Sequence, residues 1–168
     1  MNRIARFEKV SLSEYMETRF RLTHPETLTE DAVREEWEAI KLPTRATKGS
    51  AGYDFYTPMD VFLDPSVNLF FPTGIRCRIE GEWVLMLYPK SGLGCKYGTR
   101  LLNTTGVVDS DYYFSENEGH IMCGLTVSRP TTIWRGNKFM QGIFLPYGIT
   151  TDDNVTEIRD GGFGSTGA

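Results

Sequence analysis

Five short segments hold the side chains with which this chain can do chemistry. Ala51-Gly52-Tyr53-Asp54 sets a carboxylate beside a glycine that permits close backbone approach. Asp54 is of a type that holds Mg²⁺ or its water shell. Pro89-Lys90-Ser91-Gly92-Leu93-Gly94 ends an apolar run with a cation, a hydroxyl and a glycine-rich turn, which suits a phosphate oxygen. The longer segment Asn103-Thr-Thr-Gly106-Val-Val-Asp109-Ser-Asp111-Tyr112 offers an amide able to read a pyrimidine edge, an acid at the end of a strand fit for base work, and a ring to pack on a sugar. Gly136-Asn137-Lys138-Phe139-Met140-Gln141 contributes Gln141, able to orient a water. Last come Arg159 and Gly161-Gly162-Phe163-Gly164-Ser165-Thr166-Gly167-Ala168, where backbone N–H groups and hydroxyls can cradle phosphates and Phe163 can stack on a base.

Alone, each segment reads equally as loop chemistry: an aspartate in a turn, a plain β-turn, a glycine tail. Together they are what a metal-assisted phosphate site requires. The P-loop pattern is absent.

The rest of the composition narrows the field. With 168 residues, 40% hydrophobic and 24% charged, the chain reads as one globular domain spanning 1–168. A net charge of −4 argues against general affinity for nucleic acid. No apolar run reaches the length of a membrane span, and the first residues lack a signal-peptide core, so a cytoplasmic protein without membrane contact is expected. Three widely spaced cysteines, Cys77, Cys95 and Cys123, suggest neither a disulfide framework nor a zinc site. His24 and His120 lie far apart, which disfavours a His-ligated metal or a Ser-His-Asp triad; the side chains of Cys95 and His120 read as structural or surface groups.

Residues 3–10 predict a first strand. Ser11-Leu-Ser-Glu14 and Thr27-Leu-Thr-Glu30 read as capping boxes opening two helices, with Leu12, Tyr15, Met16 and Phe20 on one face of the first and Val33, Trp37 and Ile40 along the second. From Pro43 on, short β-rich runs alternate with turn residues; strands are predicted at 52–57, 61–63, 68–80, 83–88, 105–108, 119–127, 131–135 and 139–145. This pattern predicts an antiparallel sandwich or barrel. Residues 148–160 read as a polar linker before the glycine tail.

In this order the five segments resemble the five motifs of the trimeric dUTPase family, from about Leu42 to Ala168. Gly106-Val-Val-Asp-Ser-Asp-Tyr112 and Gly161-Gly-Phe-Gly-Ser-Thr-Gly167 carry the resemblance most specifically. It implies an all-β, distorted jelly-roll β-barrel or sandwich, here with an N-terminal helical insertion over 11–41 and a flexible C-terminal arm over 149–168. It implies a homotrimer with active sites shared between subunits, and hydrolysis of dUTP to dUMP and pyrophosphate by water attack at the α-phosphorus. By motif matching, Asp109 would be the general base and Gln141 would hold the water. Asn103, Gly106 and backbone groups of Gly119, His120, Ile121 and Met122 would read uracil, while Tyr112 would pack under the deoxyribose. Lys90, Ser91 and Gly92 would meet the phosphates, and Asp54 would bind the cofactor Mg²⁺ through water. Arg159, Phe163, Gly164, Ser165 and Thr166 would close over base and terminal phosphates.

The chain departs from the family pattern in four places. Lys90 stands where arginine is usual, which keeps the charge and loses the bidentate fork. The hairpin after Tyr112 is longer by about five residues, 113–118. Asn137 stands where aspartate is common, and Arg159 lies one residue nearer the glycines. The helical insertion reads as structural cover or a trimer-edge contact. Two other readings share the scaffold: a dCTP deaminase, and a regulatory protein whose hold on a partner follows nucleotide occupancy.

Overall fold

The computed structural model describes residues 2–22 and 28–157. Its strands are β1 (Ala5–Lys9), β2 (Thr44–Arg45), β3 (Tyr53–Tyr56), β4 (Val61–Leu63), β5 (Leu69–Pro72), β6 (Ile75–Ile79), β7 (Trp83–Pro89), β8 (Arg100–Leu101), β9 (Gly106–Val108), β10 (Met122–Thr126), β11 (Thr131–Ile133) and β12 (Lys138–Pro146). Helices α1 (Leu12–Arg21), α2 (Glu30–Glu38) and α3 (Ser91–Tyr97) and a 3-10 turn at Ser110–Phe114 complete the described elements. The predominance of short antiparallel strands is the all-β jelly-roll architecture expected. No helix among the described residues is long and apolar enough to cross a membrane.

Alternation of side chains drives these strands. Along β6, Ile75, Cys77 and Ile79 are buried while Arg76 and Arg78 face outward; along β4, Val61 and Leu63 bracket an exposed Phe62. The main sheet runs β2-β3-β12-β7-β9, a second runs β5-β10-β8, and the pairs β1-β6 and β11-β4 complete the strand layers. Phe71 of β5 meets Phe139 of β12 with ring centroids 5.2 Å apart, closing the core between the two larger sheets.

One irregularity matters for the site. The register between β12 and β3 slips between Lys138 and Met140, leaving Phe139 as a bulge. Phe139 and Met140 are consequently both buried in succession, whereas Lys138 and Gln141 turn to the other side, beside Asp54.

The N-terminal helices follow prediction in part. Ser11 caps α1 by accepting from the Glu14 amide at 3.1 Å. Helix α2 starts later than its predicted box: Thr29 is the cap, accepting from the Ala32 amide, and Thr27 lies outside the described residues. Tyr15 and Val33 are fully buried, and Ile40 covers Gly74 so closely that a Cβ there would lie 2.2 Å from Ile40 Cδ1. Between the helices Arg19 forms a buried pair with Glu36 at 2.8 Å, and Tyr15 donates its hydroxyl to the same carboxylate.

One strand prediction and one turn prediction need correction. The run 68–80 is two strands, because Gly74 adopts φ +70° and breaks the ladder after Thr73. The Lys90–Gly94 turn is the opening of helix α3, ended by Gly98 in the left-handed conformation. Cys77 and Cys123 lie buried in β6 and β10, and Cys95 is exposed on α3. Burial pushes the Cys77 thiol up to about 12 and the Cys123 thiol well above its usual range.

Candidate active site

Three of the five segments meet around Asp54. On β3 this residue lies opposite Gln141 of β12, and its side chain is only 3% exposed. One carboxylate oxygen accepts from Lys90 Nζ at 2.5 Å and the other from Lys138 Nζ at 2.7 Å. Burial alone would raise the Asp54 pKa; the hydrogen bonds and charges of the two lysines override it and hold the carboxyl below its ordinary value. Asp54 in turn raises the Lys138 ammonium. Lys90 is positioned by its own backbone, which donates to Phe139 O at 3.0 Å. Gln141 lies over Gly52, where a Cβ would come within 3.0 Å of its Oε1, so the glycine of the first segment makes room for the glutamine of the fourth.

This geometry bears on the metal expected at Asp54. Both oxygens of Asp54 are engaged by ammonium groups, and among the described residues no cluster of three His, Cys, Asp or Glu side chains could hold a metal ion. Asp54 orders two lysines and, among the described residues, offers no direct multi-carboxylate cage for a divalent cation. Lys138 is the residue that sequence reasoning missed. Its charge was visible, but its reach to Asp54 depends on the Phe139 bulge.

A second locus lies between the two larger sheets. A cavity of about 270 Å³ is lined by Asn103, Gly106, Met122, Cys123, Gly124 and Met140, with Leu87, Leu101, Leu102 and Phe70 completing the wall. It is apolar apart from Asn103 and backbone groups, and it approaches the lower end of ligand-pocket sizes, roughly 300 Å³. Gly106 packs on Leu87, its cross-strand partner, with no room for a side chain.

Asn103, Gly106 and Met122 thus converge, but Gly119, His120 and Ile121 do not line this cavity. His120 is fully buried and Ile121 nearly so. The Ile121 amide donates to Ile75 O, and Ile121 O accepts from Thr73; the His120 amide donates to Asn117 O, and His120 O accepts from the Tyr112 hydroxyl. The Gly119 amide bonds Asn117 Oδ1. These groups hold the hairpin in place, and of this run it is Met122–Gly124 that line the cavity.

Asp109 follows β9, half-buried, and caps the 3-10 turn, its carbonyl accepting from the Tyr112 amide. Tyr112 is 7% exposed. Ser91 and Gly92 stand exposed at the start of α3. Arg159, Phe163, Gly164, Ser165 and Thr166 lie outside the described residues.

The two loci lie on opposite faces of one sheet. Met140, which lines the cavity, and Gln141, which meets Gly52, are consecutive on β12, and consecutive strand residues point to opposite sides. A single protomer therefore presents the cavity and the Asp54 cluster on separate faces.

Fold and loci define a class, a jelly-roll β protein with a small apolar pocket and a lysine–aspartate cluster. Residues 38–167 match the dUTPase family model. The deoxyuridine 5′-triphosphate nucleotidohydrolase of Lactococcus lactis is 37% identical over 134 residues, covering 77% of this chain and 89% of that protein. Its counterpart from Mycolicibacterium gilvum is 36% identical over 141 residues, with 76% and 88% covered. The crystal structure of the Streptococcus mutans dUTPase superposes with a TM-score of 0.62 at 26% identity, over 86% of this chain and 97% of that one. The chain belongs to the dUTPase family and is an enzyme of that family, a dUTP diphosphatase. Helix α1 and nearly all of α2 precede the region matched by the family model.

Proposed function

We propose that this chain hydrolyses dUTP to dUMP and pyrophosphate with Asp109 as general base, as one domain whose C-terminal arm over 149–168 closes the site. The cavity takes the uracil ring. Asn103 supplies a side-chain amide, Met122–Gly124 supply backbone groups, and the wall around them is apolar. A site built to pair one base edge disfavours another strongly, because its polar groups then go unpaired. Tyr112 packs on the deoxyribose.

Asp109 takes a proton from a water held by Gln141. That oxygen bonds to the α-phosphorus, the bond from the α-phosphorus to the α,β-bridging oxygen breaks, and pyrophosphate leaves. Lys90 retains two further N–H donors beyond the one given to Asp54, and these, with Ser91, Gly92 and the arm residues Arg159, Phe163, Gly164, Ser165 and Thr166, receive base and phosphates. Mg²⁺, where bound, would offset part of the phosphate charge beside Lys90. A structural Mg(II) ion is described for a phage phi11 dUTPase that shares this fold at 20% identity.

The observation that carries the reading is the placement of the base pocket and the Asp54–Lys90–Gln141 cluster on opposite faces of the main sheet. Within a protomer the two are separated by the sheet itself. A homotrimer that brings one subunit's cavity to another's cationic cluster completes the site. The test is Asp109→Asn: dUTP binding by calorimetry stays near wild type while pyrophosphate release falls by about 1,000-fold or more, within the range expected for losing an essential base and its water. Near-normal turnover would remove Asp109 from the role.

A further inference from the structure

The two segments in which this chain departs most from its family touch each other. The Ser11 amide and hydroxyl both donate to Glu118, at 2.8 and 2.6 Å, joining the start of α1 to the tip of the lengthened hairpin. One helical turn on, Glu14 meets His120 Nδ1 at 3.0 Å. His120 Nε2 accepts the Gly74 amide proton at 2.9 Å, so it carries no proton of its own, and the ring donates through Nδ1 to Glu14. Tyr15, 6.3 Å away between ring centroids, packs beside the imidazole. His120 is thereby locked from both ends inside the fold.

What this lock holds is the residue expected to face the sugar. His120 O accepts the Tyr112 hydroxyl at 2.8 Å, and Asn117 Nδ2 donates to the same oxygen of Tyr112 at 2.9 Å. The Tyr112 amide returns to Asp109 O. A continuous path of hydrogen bonds runs from α1 through Glu14, His120 and Tyr112 to Asp109. The hairpin needs such an anchor, because its reversal uses two left-handed residues. Gly119 at φ +70° has no room for a Cβ, and Glu118 at φ +57° is a conformation that costs a side-chain-bearing residue energy.

We infer that Glu14 and His120 are positioning residues for the hydrolysis, and that the helical insertion sets the Tyr112 ring, and with it dUTP-over-UTP selectivity, through them. The inference rests on the proposed roles of Tyr112 and Asp109.

The experiment compares kcat and kcat/KM for dUTP and UTP in wild type, Glu14→Leu, Glu14→Gln and Glu118→Gly, with oligomer mass and thermal midpoint recorded for each. Glu14→Leu leaves His120 Nδ1 without an acceptor; kcat for dUTP should fall by about 10-fold and the dUTP:UTP ratio of kcat/KM should narrow by a similar factor. Glu14→Gln keeps an acceptor oxygen and should restore most of both. Glu118→Gly removes the links to Ser11 and to Arg76 while relieving the left-handed strain, so it should narrow the ratio in a chain that still folds, and it keeps the test alive if Glu14→Leu does not fold. A folded Glu14→Leu or Glu118→Gly with wild-type kcat and an unchanged ratio would overturn the inference. Absence of dUTP turnover by the wild-type chain would instead overturn the proposed function, and this inference with it.

Discussion

Removing both lysines that clamp Asp54 should cost more than removing them singly, and should reverse how that site responds to acid. Lys90→Met and Lys138→Met each keep the aliphatic stem and delete the charge. In Lys90→Met the carboxylate retains Lys138, so the loss is one charge-assisted hydrogen bond to a side chain 30% exposed, about 1 kcal/mol after allowing for solvent screening. Lys138 is 40% exposed, and its single loss should be smaller. The double variant strands a carboxylate that is 3% exposed, at about 3 kcal/mol, the low end for an uncompensated buried charge just beneath the surface. The double should therefore exceed the sum of the singles by about 1 kcal/mol or more. In the wild type the folded pKa of Asp54 is lowered, so its stabilisation is present above the unfolded value and is lost as pH falls through the folded one. In the double variant only burial acts, so the folded pKa lies above the unfolded one. The penalty is therefore largest near neutral pH and shrinks as acid protonates the carboxyl. Urea unfolding at fixed protein concentration, near pH 7 and near pH 4.5, reads both effects. Additive costs with a wild-type pH response would refute the clamp.

Two glycines test the two loci separately. A Cβ at Gly124 would lie 2.8 Å from Phe70 Cε1 and 2.9 Å from Leu102 Cδ1, so Gly124→Ala should crowd the cavity and raise KM for dUTP by about 10-fold or more, equivalent to about 1–3 kcal/mol of overpacking; an unchanged KM would remove Gly124 from the base pocket. Gly52→Ala should displace the Gln141 amide, lowering kcat by about 10-fold with little change in KM, and equal changes in both constants would argue against a water-holding role for Gln141.

The sequence made the strands legible where alternation was strong, as in β4 and β6. It did not show the break at Gly74, whose close partner Ile40 comes from the distant insertion. Helix α3 was hidden by composition. Ser91-Gly-Leu-Gly-Cys has low helix propensity and reads as a turn; the helix is closed by a left-handed Gly98, whose absent Cβ makes room for Ser128 from a remote loop. Strands β2 and β8 are two residues long, below what periodicity can detect. In the site, Asp54, Lys90 and Gln141 were recognisable by type and order, but their mutual contacts depend on a bulge that no local pattern announces. His120 stood inside a motif-like run and was assigned to the substrate through its backbone. Only the fold reveals that those groups are consumed in anchoring the hairpin.

The burial of Cys77 and Cys123 has a practical consequence. Two of the three sulfurs are held protonated and out of reach, whereas Cys95 stands in solvent on the short helix that begins at Ser91. The unaltered chain thus offers one addressable position for a maleimide dye, within a turn of the loop proposed to receive phosphates, so an optical signal of ligand arrival can be built without changing a single residue.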